Sequence, residues 1–286
     1  MKKLILLCFF IVATISTQAQ KITVQVSDNE TKESIEFVNI LLPDHQKSFV
    51  ANEKGIFTFD TEKYKFPLKV IAQQFGFVQK EITLQNSTSV YNIYLNPTSE
   101  LLQEIIIPPK NAKIKERTFG RTNEGSGKIS GSFQSYDEDN KDTGLRFGMI
   151  LNTNNKLKRI KKIHWYITGA DFKKAIYSVE FYEVGNGKPT KRIPHADIRF
   201  SITNNTIGWN IINVNDLDIY IDGHKKIVAI IKTLKVELND SSEKNYLQTN
   251  VGFAAANTIV FKDSEFEDWQ KIPMNYPFYI TVDSYE

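Results

Sequence analysis

From Lys21 onward apolar and polar residues alternate with a period of two. Ile22, Val24 and Val26 fall on one side and Thr23 and Gln25 on the other, the pattern of a strand with one buried face. The run stops at Ser27-Asp28-Asn29, a cluster of turn formers. The same alternation predicts strands at 37–42, 48–51, 56–59, 68–73, 78–84 and 90–95, separated by turn chemistry at Pro43-Asp44, Asn52-Glu53-Lys54-Gly55 and Asn86-Ser87. Seven short strands with no helical period predict a small β-sandwich over residues 20–108. Pro108-Pro109-Lys110-Asn111 reads as a stiff hinge, and residues 109–127 as a charged linker.

After the linker the alternation returns at 129–135, 146–151, 157–167, 176–184, 198–202, 208–214, 227–234, 250–253, 258–261 and 277–282. In the last of these Phe278, Ile280 and Val282 share one face, and Tyr279, Thr281 and Asp283 the other. Residues 128–286 therefore predict a second, larger β-sandwich, most simply a jelly roll, which makes the chain all-β.

The order VSD, ESIEFVNILL, VANEKGIFTF, LKVIAQQFGF and YNIYLNPTSELLQEIIIP resembles the carboxypeptidase-like regulatory domain, a transthyretin-like sandwich common in secreted proteins of the Bacteroidota. The most specific parts are Phe37-Val38-Asn39-Ile40 and residues 52–57. Where that family has Ser, two residues and Gly-Tyr, this chain reads Gln73-Gln74-Phe75-Gly76-Phe77, keeping the aromatic after glycine. The resemblance implies a scaffold without peptidase chemistry. Such a sandwich often precedes an outer-membrane barrel, but the 178 residues after Pro108 are too few for a barrel of about 22 strands, so another soluble domain is expected. SVEFYEVGNGKPTKRI, followed by Gly208-Trp209-Asn210 and residues 227–231, is similar to domains that follow this sandwich in secreted proteins, which implies architecture alone.

MKKLILLCFFIVATISTQAQ has Lys2 and Lys3, an apolar run from Leu4 to Ala13, and small or polar residues ending in Thr17-Gln18-Ala19. That is the anatomy of a secretory signal peptide, residues 1–19, with an apolar run well short of the ~20 residues a bilayer demands. Export to the periplasm, the outer-membrane surface or the exterior is expected, with no transmembrane segment in the mature chain. The single cysteine, Cys8, leaves with the leader, so no disulfide is expected. Of the formal net charge of +3, about +1 remains after the leader lysines are gone, which gives no case for a nucleic-acid partner.

Catalytic motifs are missing from the sequence. His45, His164, His195 and His224 are scattered, and His195-Ala196-Asp197 is the nearest approach to a ligand pair. Gly127-Lys128-Ile129-Ser130-Gly131 fails the spacing of both a serine-hydrolase elbow and a phosphate-binding loop. Gly185-Asn186-Gly187 is hairpin chemistry rather than a dinucleotide loop. Asp137, Asp139 and Asp142 supply hard oxygens for calcium, or else a solvated hairpin. Trp165, Trp209 and Trp269 are candidate rings for stacking on a sugar, or else core and loop anchors. The basic run KLKRIKK, 156–162, reads as a solvated edge strand or a surface for an anionic partner. The reading that follows is a non-catalytic binding or structural module, with polysaccharide or an envelope protein as partner. Its alternatives are a glycan- or peptide-directed hydrolase in the second sandwich, built on pairs such as Asp216 with Asp218 or Glu265 with Glu267, and a subunit of an envelope assembly.

Overall fold

The computed structural model describes residues 21–86, 89–98, 106–125, 130–136, 144–204, 206–240, 245–253 and 258–286. The leader and the acidic run with Asp137, Asp139 and Asp142 lie outside the described residues.

The first sandwich is built from β1 (Lys21–Asp28), β2 (Asn39–Leu42), β3 (Lys47–Val50), β4 (Ile56–Asp60), β5 (Leu68–Gln73), β6 (Lys80–Leu84) and β7 (Val90–Leu95). One sheet has the order β4-β1-β7, with β1 and β7 parallel, and the other β3-β2-β5-β6. Ile22, Val24 and Val26 are fully buried between them with Ile40, Leu42, Phe59, Val70 and Leu84, so the alternation along β1 is the alternation of core and surface. The strand expected at 37–42 begins only at Asn39, because Phe37 takes a positive φ of 53° and joins Val50, Leu234 and Ile176 in a separate apolar cluster.

The Asn52–Gly55 turn shows why those residue types stand there. The Asn52 side-chain oxygen accepts the backbone N–H of Lys54 (2.9 Å) and of Ile56 (3.0 Å). Gly55 sits at φ +68°, where a Cβ would lie 2.6 Å from the Val26 carbonyl oxygen and 2.7 Å from that of Ile35. Gly55→Ala adds left-handed strain of about 1–2 kcal/mol to a backbone clash, and is expected to lower the urea midpoint with an unchanged m-value.

The second sandwich comprises β8 (Ile114–Gly120), β9 (Ser130–Tyr136), β10 (Arg146–Asn152), β11 (Lys158–Ile167), β12 (Gly169–Asp171), β13 (Lys174–Gly185), β14 (Lys188–Arg192), β15 (Arg199–Ile202) and β16 (Gly208–Asn213). It continues with β17 (Ile219–Ile221), β18 (Lys226–Glu237), β19 (Asn245–Asn250), β20 (Gly252–Phe253), β21 (Ile259–Lys262), β22 (Gln270–Ile272), β23 (Met274–Asn275) and β24 (Phe278–Tyr285). A seven-stranded sheet runs β14-β13-β18-β10-β21-β22, with β15 also on β13, and a five-stranded sheet runs β16-β11-β24-β8, with β17 also on β11. Phe147 and Phe181 of the first pack with Trp165 and Phe278 of the second in one large core. Strands of two or three residues such as β12, β17 and β23 are too short to show an alternation, and β8 is polar and mostly exposed, so the sequence pattern passes over them. The basic run is no edge: β11 lies between β16 and β24, and Lys158 within it is fully buried. Among the described residues, no helix is long and apolar enough to cross a membrane.

The two sandwiches meet along the β2–β3 sheet of the first and the β13–β18 region of the second. Lys232 Nζ donates to Asn39 Oδ1 (2.7 Å), Lys235 pairs with Glu53 (3.0 Å), and Arg199 pairs with Glu36. The Glu265 backbone N–H donates to Ser48 Oγ (3.2 Å), and the Arg192 guanidinium lies 4.0 Å over the Phe75 ring.

Candidate functional site

The outer face of the five-stranded sheet carries a strip of aromatic rings. On β11 the inner positions are taken by Ile163, Trp165 and Ile167, which forces His164 and Tyr166 outward. Register then sets Tyr166 opposite Trp209 and His164 opposite Tyr279. The His164 and Tyr279 rings stack nearly parallel, 4.1 Å apart at 7°. Trp209 meets Tyr279 edge-on at 5.2 Å and Tyr166 at 5.3 Å, so Tyr166, Trp209 and Tyr279 form one half-buried apolar surface. On the same strand as Trp209, Ile211 is 59% exposed and shares its side of β16.

Polar groups border the rings. Trp209 Nε1–H donates to Glu124 Oε1 (3.2 Å), and Asn250 Nδ2 anchors that segment by donating to the Glu124 carbonyl (2.7 Å). His164 Nε2 lies 3.0 Å from Thr281 Oγ1. Burial, with Lys162 close by, keeps the His164 imidazole below its ordinary pKa and so neutral near pH 7. Burial raises the Tyr166 and Tyr279 hydroxyls, Glu124 adding to the effect at Tyr166, so both remain protonated donors.

The three tryptophans do not converge. Trp165 is fully buried, set against Phe147, Tyr177 and Phe200, and has no ring face for a ligand: it is a core residue. Trp269 lies beside Tyr182 with Lys262 Nζ 5.2 Å over its ring, at the outer face of the seven-stranded sheet. Trp209 alone belongs to the strip. The partners it gathers, Tyr166, Tyr279, His164 and Glu124, were not singled out from the sequence. Their only signal there is Tyr279, which the alternation at 277–282 already turns away from the core.

The remaining motifs resolve into structure. His195 is buried, its Nε2 accepting the Phe181 N–H (3.3 Å) and its Nδ1 directed at the Ala196 carbonyl (2.7 Å), and burial depresses its pKa to about 4. Asp218 sits at φ +46° beside Arg159 (3.6 Å). Asn186 and Gly187 both adopt positive φ, as the β13–β14 hairpin demands.

A cleft of about 400 Å³ opens between the sandwiches, lined by Phe75 and Phe77 of the first and by Arg146, Glu180, Arg192 and Lys232 of the second. Arg146 is 6% exposed and bridges Glu180 (3.6 Å) and Glu265, while Arg192 approaches Glu180 from the other side (3.7 Å). Burial opposes ionisation of Glu180 and Glu265, but Arg146 overrides it, with Arg192 at Glu180 and Lys262 at Glu265, and both carboxyls are held below their usual range. Burial, with Arg146 beside it, pulls Lys232 down to about 7. Among the described residues, no group of three or more His, Cys, Asp and Glu side chains is placed to hold a metal ion.

No curated protein matches the chain in sequence. Among solved structures, the clostridial cysteine protease Cwp84 after propeptide cleavage aligns over 93% of this chain and 66% of its own, with 9% identity and a TM-score of 0.39. A DUF3823 family protein from Bacteroides ovatus aligns over 80% of this chain and 96% of its own, with 8% identity and a TM-score of 0.21. A proposed carbohydrate-binding protein from Bacteroides uniformis aligns over 92% and 98%, again with 8% identity and a TM-score of 0.21. The profile of the CarboxypepD_reg-like domain family matches residues 22–107, which span the seven strands β1 to β7. The amino-terminal sandwich is thus the part of the chain similar to the CarboxypepD_reg-like family, and it is joined to a larger all-β sandwich that carries the aromatic strip.

Proposed function

We propose that the protein is an exported, non-catalytic binding module that holds a neutral polysaccharide against the outer face of the five-stranded sheet. The observation that carries this reading is the continuous, half-buried strip of Tyr166, Trp209 and Tyr279 with the Glu124 carboxylate at its border. A pyranose ring buries its apolar face on such rings, while a carboxylate and protonated tyrosine hydroxyls take its hydroxyl groups. The leader-like residues 1–19 support export, and the first sandwich serves as a support for the second.

At the cleft, the chemistry of Glu180 and Glu265 favours binding over hydrolysis. Glycoside hydrolysis needs a carboxylic acid whose pKa is raised so that it can donate its proton. Glu180 and Glu265 are lowered instead, each committed to arginine or lysine.

Affinity electrophoresis through gels containing neutral glucans, xylans and mannans tests this. At least one polysaccharide should retard the wild-type protein, and Trp209→Ala or Tyr279→Ala should weaken retention by about tenfold. Free migration in every gel, or retention untouched by both substitutions, would overturn the assignment.

A further inference from the structure

The cleft between the sandwiches shares no residue with the aromatic strip. Four cations and three carboxylates line it: Arg146, Arg192, Arg199 and Lys232 against Glu180, Asp197 and Glu265. The contacts just behind, Glu36 on Arg199 and Lys262 on Glu265, leave the excess at one positive charge while Lys232 is protonated. The Nε atoms of Arg146 and Arg192 are buried without a hydrogen-bond partner, although Arg146 is only 6% exposed. Burying ions carries a desolvation cost of several kcal/mol each unless charge and hydrogen bonds are both satisfied. Here neither balance closes. The opposite wall sets Phe75, under the Arg192 guanidinium, and Phe77 among the amides of Gln73, Gln74 and Gln79, and the volume of about 400 Å³ lies within the range of small-molecule pockets, about 300–1,000 Å³.

We propose that this cleft binds a small molecule bearing one carboxylate, which supplies the missing negative charge to Arg146, Arg192 and Lys232 and lays its body against Phe75. Guanidinium groups suit a carboxylate because their N–H donors match its two oxygens. The groups facing Lys232 are Arg146 on β10, Glu180 and Tyr182 on β13, Arg192 on β14, Glu265 after β21 and Asn39 on β2. In that setting the ammonium loses its proton near neutrality when the cleft is empty, so affinity is expected to decline from pH 6 to pH 9.

Calorimetric titration and thermal shift of the full protein test the assignment. The probes are D-glucuronate and N-acetylglycine, a sugar-borne and a peptide-like carboxylate, with D-glucose as the neutral control. At least one carboxylate should bind and raise the melting temperature, glucose should do neither, and the tighter of the two identifies the body the cleft accepts. Lys232→Met, which removes the surplus charge, should abolish the shift while the protein stays folded, and Arg192→Gln at the cleft rim should weaken binding at least tenfold. Trp209→Ala should leave both effects intact, which separates this site from the polysaccharide strip. Absence of binding by both carboxylates at millimolar concentration, or binding unchanged in Lys232→Met and Arg192→Gln, would overturn it.

Discussion

Glu180→Gln is expected to lower the free energy of unfolding by about 3–5 kcal/mol, the cost of leaving buried charges without their counterion. Glu180 is 6% exposed and sits between Arg146 (3.6 Å) and Arg192 (3.7 Å), and its Oε2 also accepts the Tyr182 hydroxyl (2.8 Å). A glutamine fills the same space and keeps one acceptor, so the loss isolates the charge. The direction of the pH effect follows from linkage. The folded protein holds Glu180 below its unfolded value of 4.5, so its stabilisation is present above about pH 4.5 and drains away as the pH falls further. Chemical denaturation at a series of pH values should show this acid limb in the wild type and a flatter one in Glu180→Gln. Lys232→Met should move the other way, since the folded value of about 7 lies below the unfolded 10.5. That difference is a penalty fully present below about pH 7 and relieved between pH 7 and 10.5, so the methionine variant should gain about 1–4 kcal/mol at pH 7 and below, and less at pH 10.

Trp165→Ala is the second large effect, a loss of about 3–5 kcal/mol of stability. The indole is 0% exposed, in ring contact with Phe147 (5.5 Å), Tyr177 (5.8 Å) and Phe200 (6.2 Å), so its removal leaves a cavity where the two sheets meet. Polysaccharide retention by the fraction that stays folded at low temperature should be unchanged. Trp209→Ala should show the opposite pairing, with stability within about 1 kcal/mol of wild type and retention weakened about tenfold. The two tryptophans are alike in the sequence, each in a β-rich stretch. They part because Trp165 falls at an inner position of β11 and Trp209 on the outer side of β16, a difference set by register.

Register also decides what was legible beforehand. The alternation of Ile22, Val24 and Val26 marks β1, and the same period places Phe278, Ile280 and Val282 in the core of the second sandwich, where they are fully buried. The Asn52–Gly55 turn is equally readable, since its hydrogen bonds are local. The strip is not, because Tyr166, Trp209 and Tyr279 come together only through the pairing of β11 with β16 and β24, and Glu124 reaches them from the segment after β8 through Asn250 and Trp209. The ionic cluster in the cleft has the same origin: Arg146 stands opposite Lys232, and Lys232 opposite Ser178, two residues before Glu180, only once β10, β18 and β13 are aligned. A trace of it was present in the sequence. Lys232 interrupts an apolar run from Ile227 to Ile231 that resumes at Leu234, a place where a lysine needs a buried partner.

The most direct test of the central claim is the indole N–H region of the proton–nitrogen NMR spectrum, where the three tryptophans give three signals that single substitutions assign. During titration with a polysaccharide that retards the protein, the Trp209 signal should shift progressively, because its N–H meets Glu124 at the strip, while the Trp165 signal in the core stays in place. A Trp209 resonance that remains still at saturation, with the shift confined to Trp269 or to neither, would contradict the account.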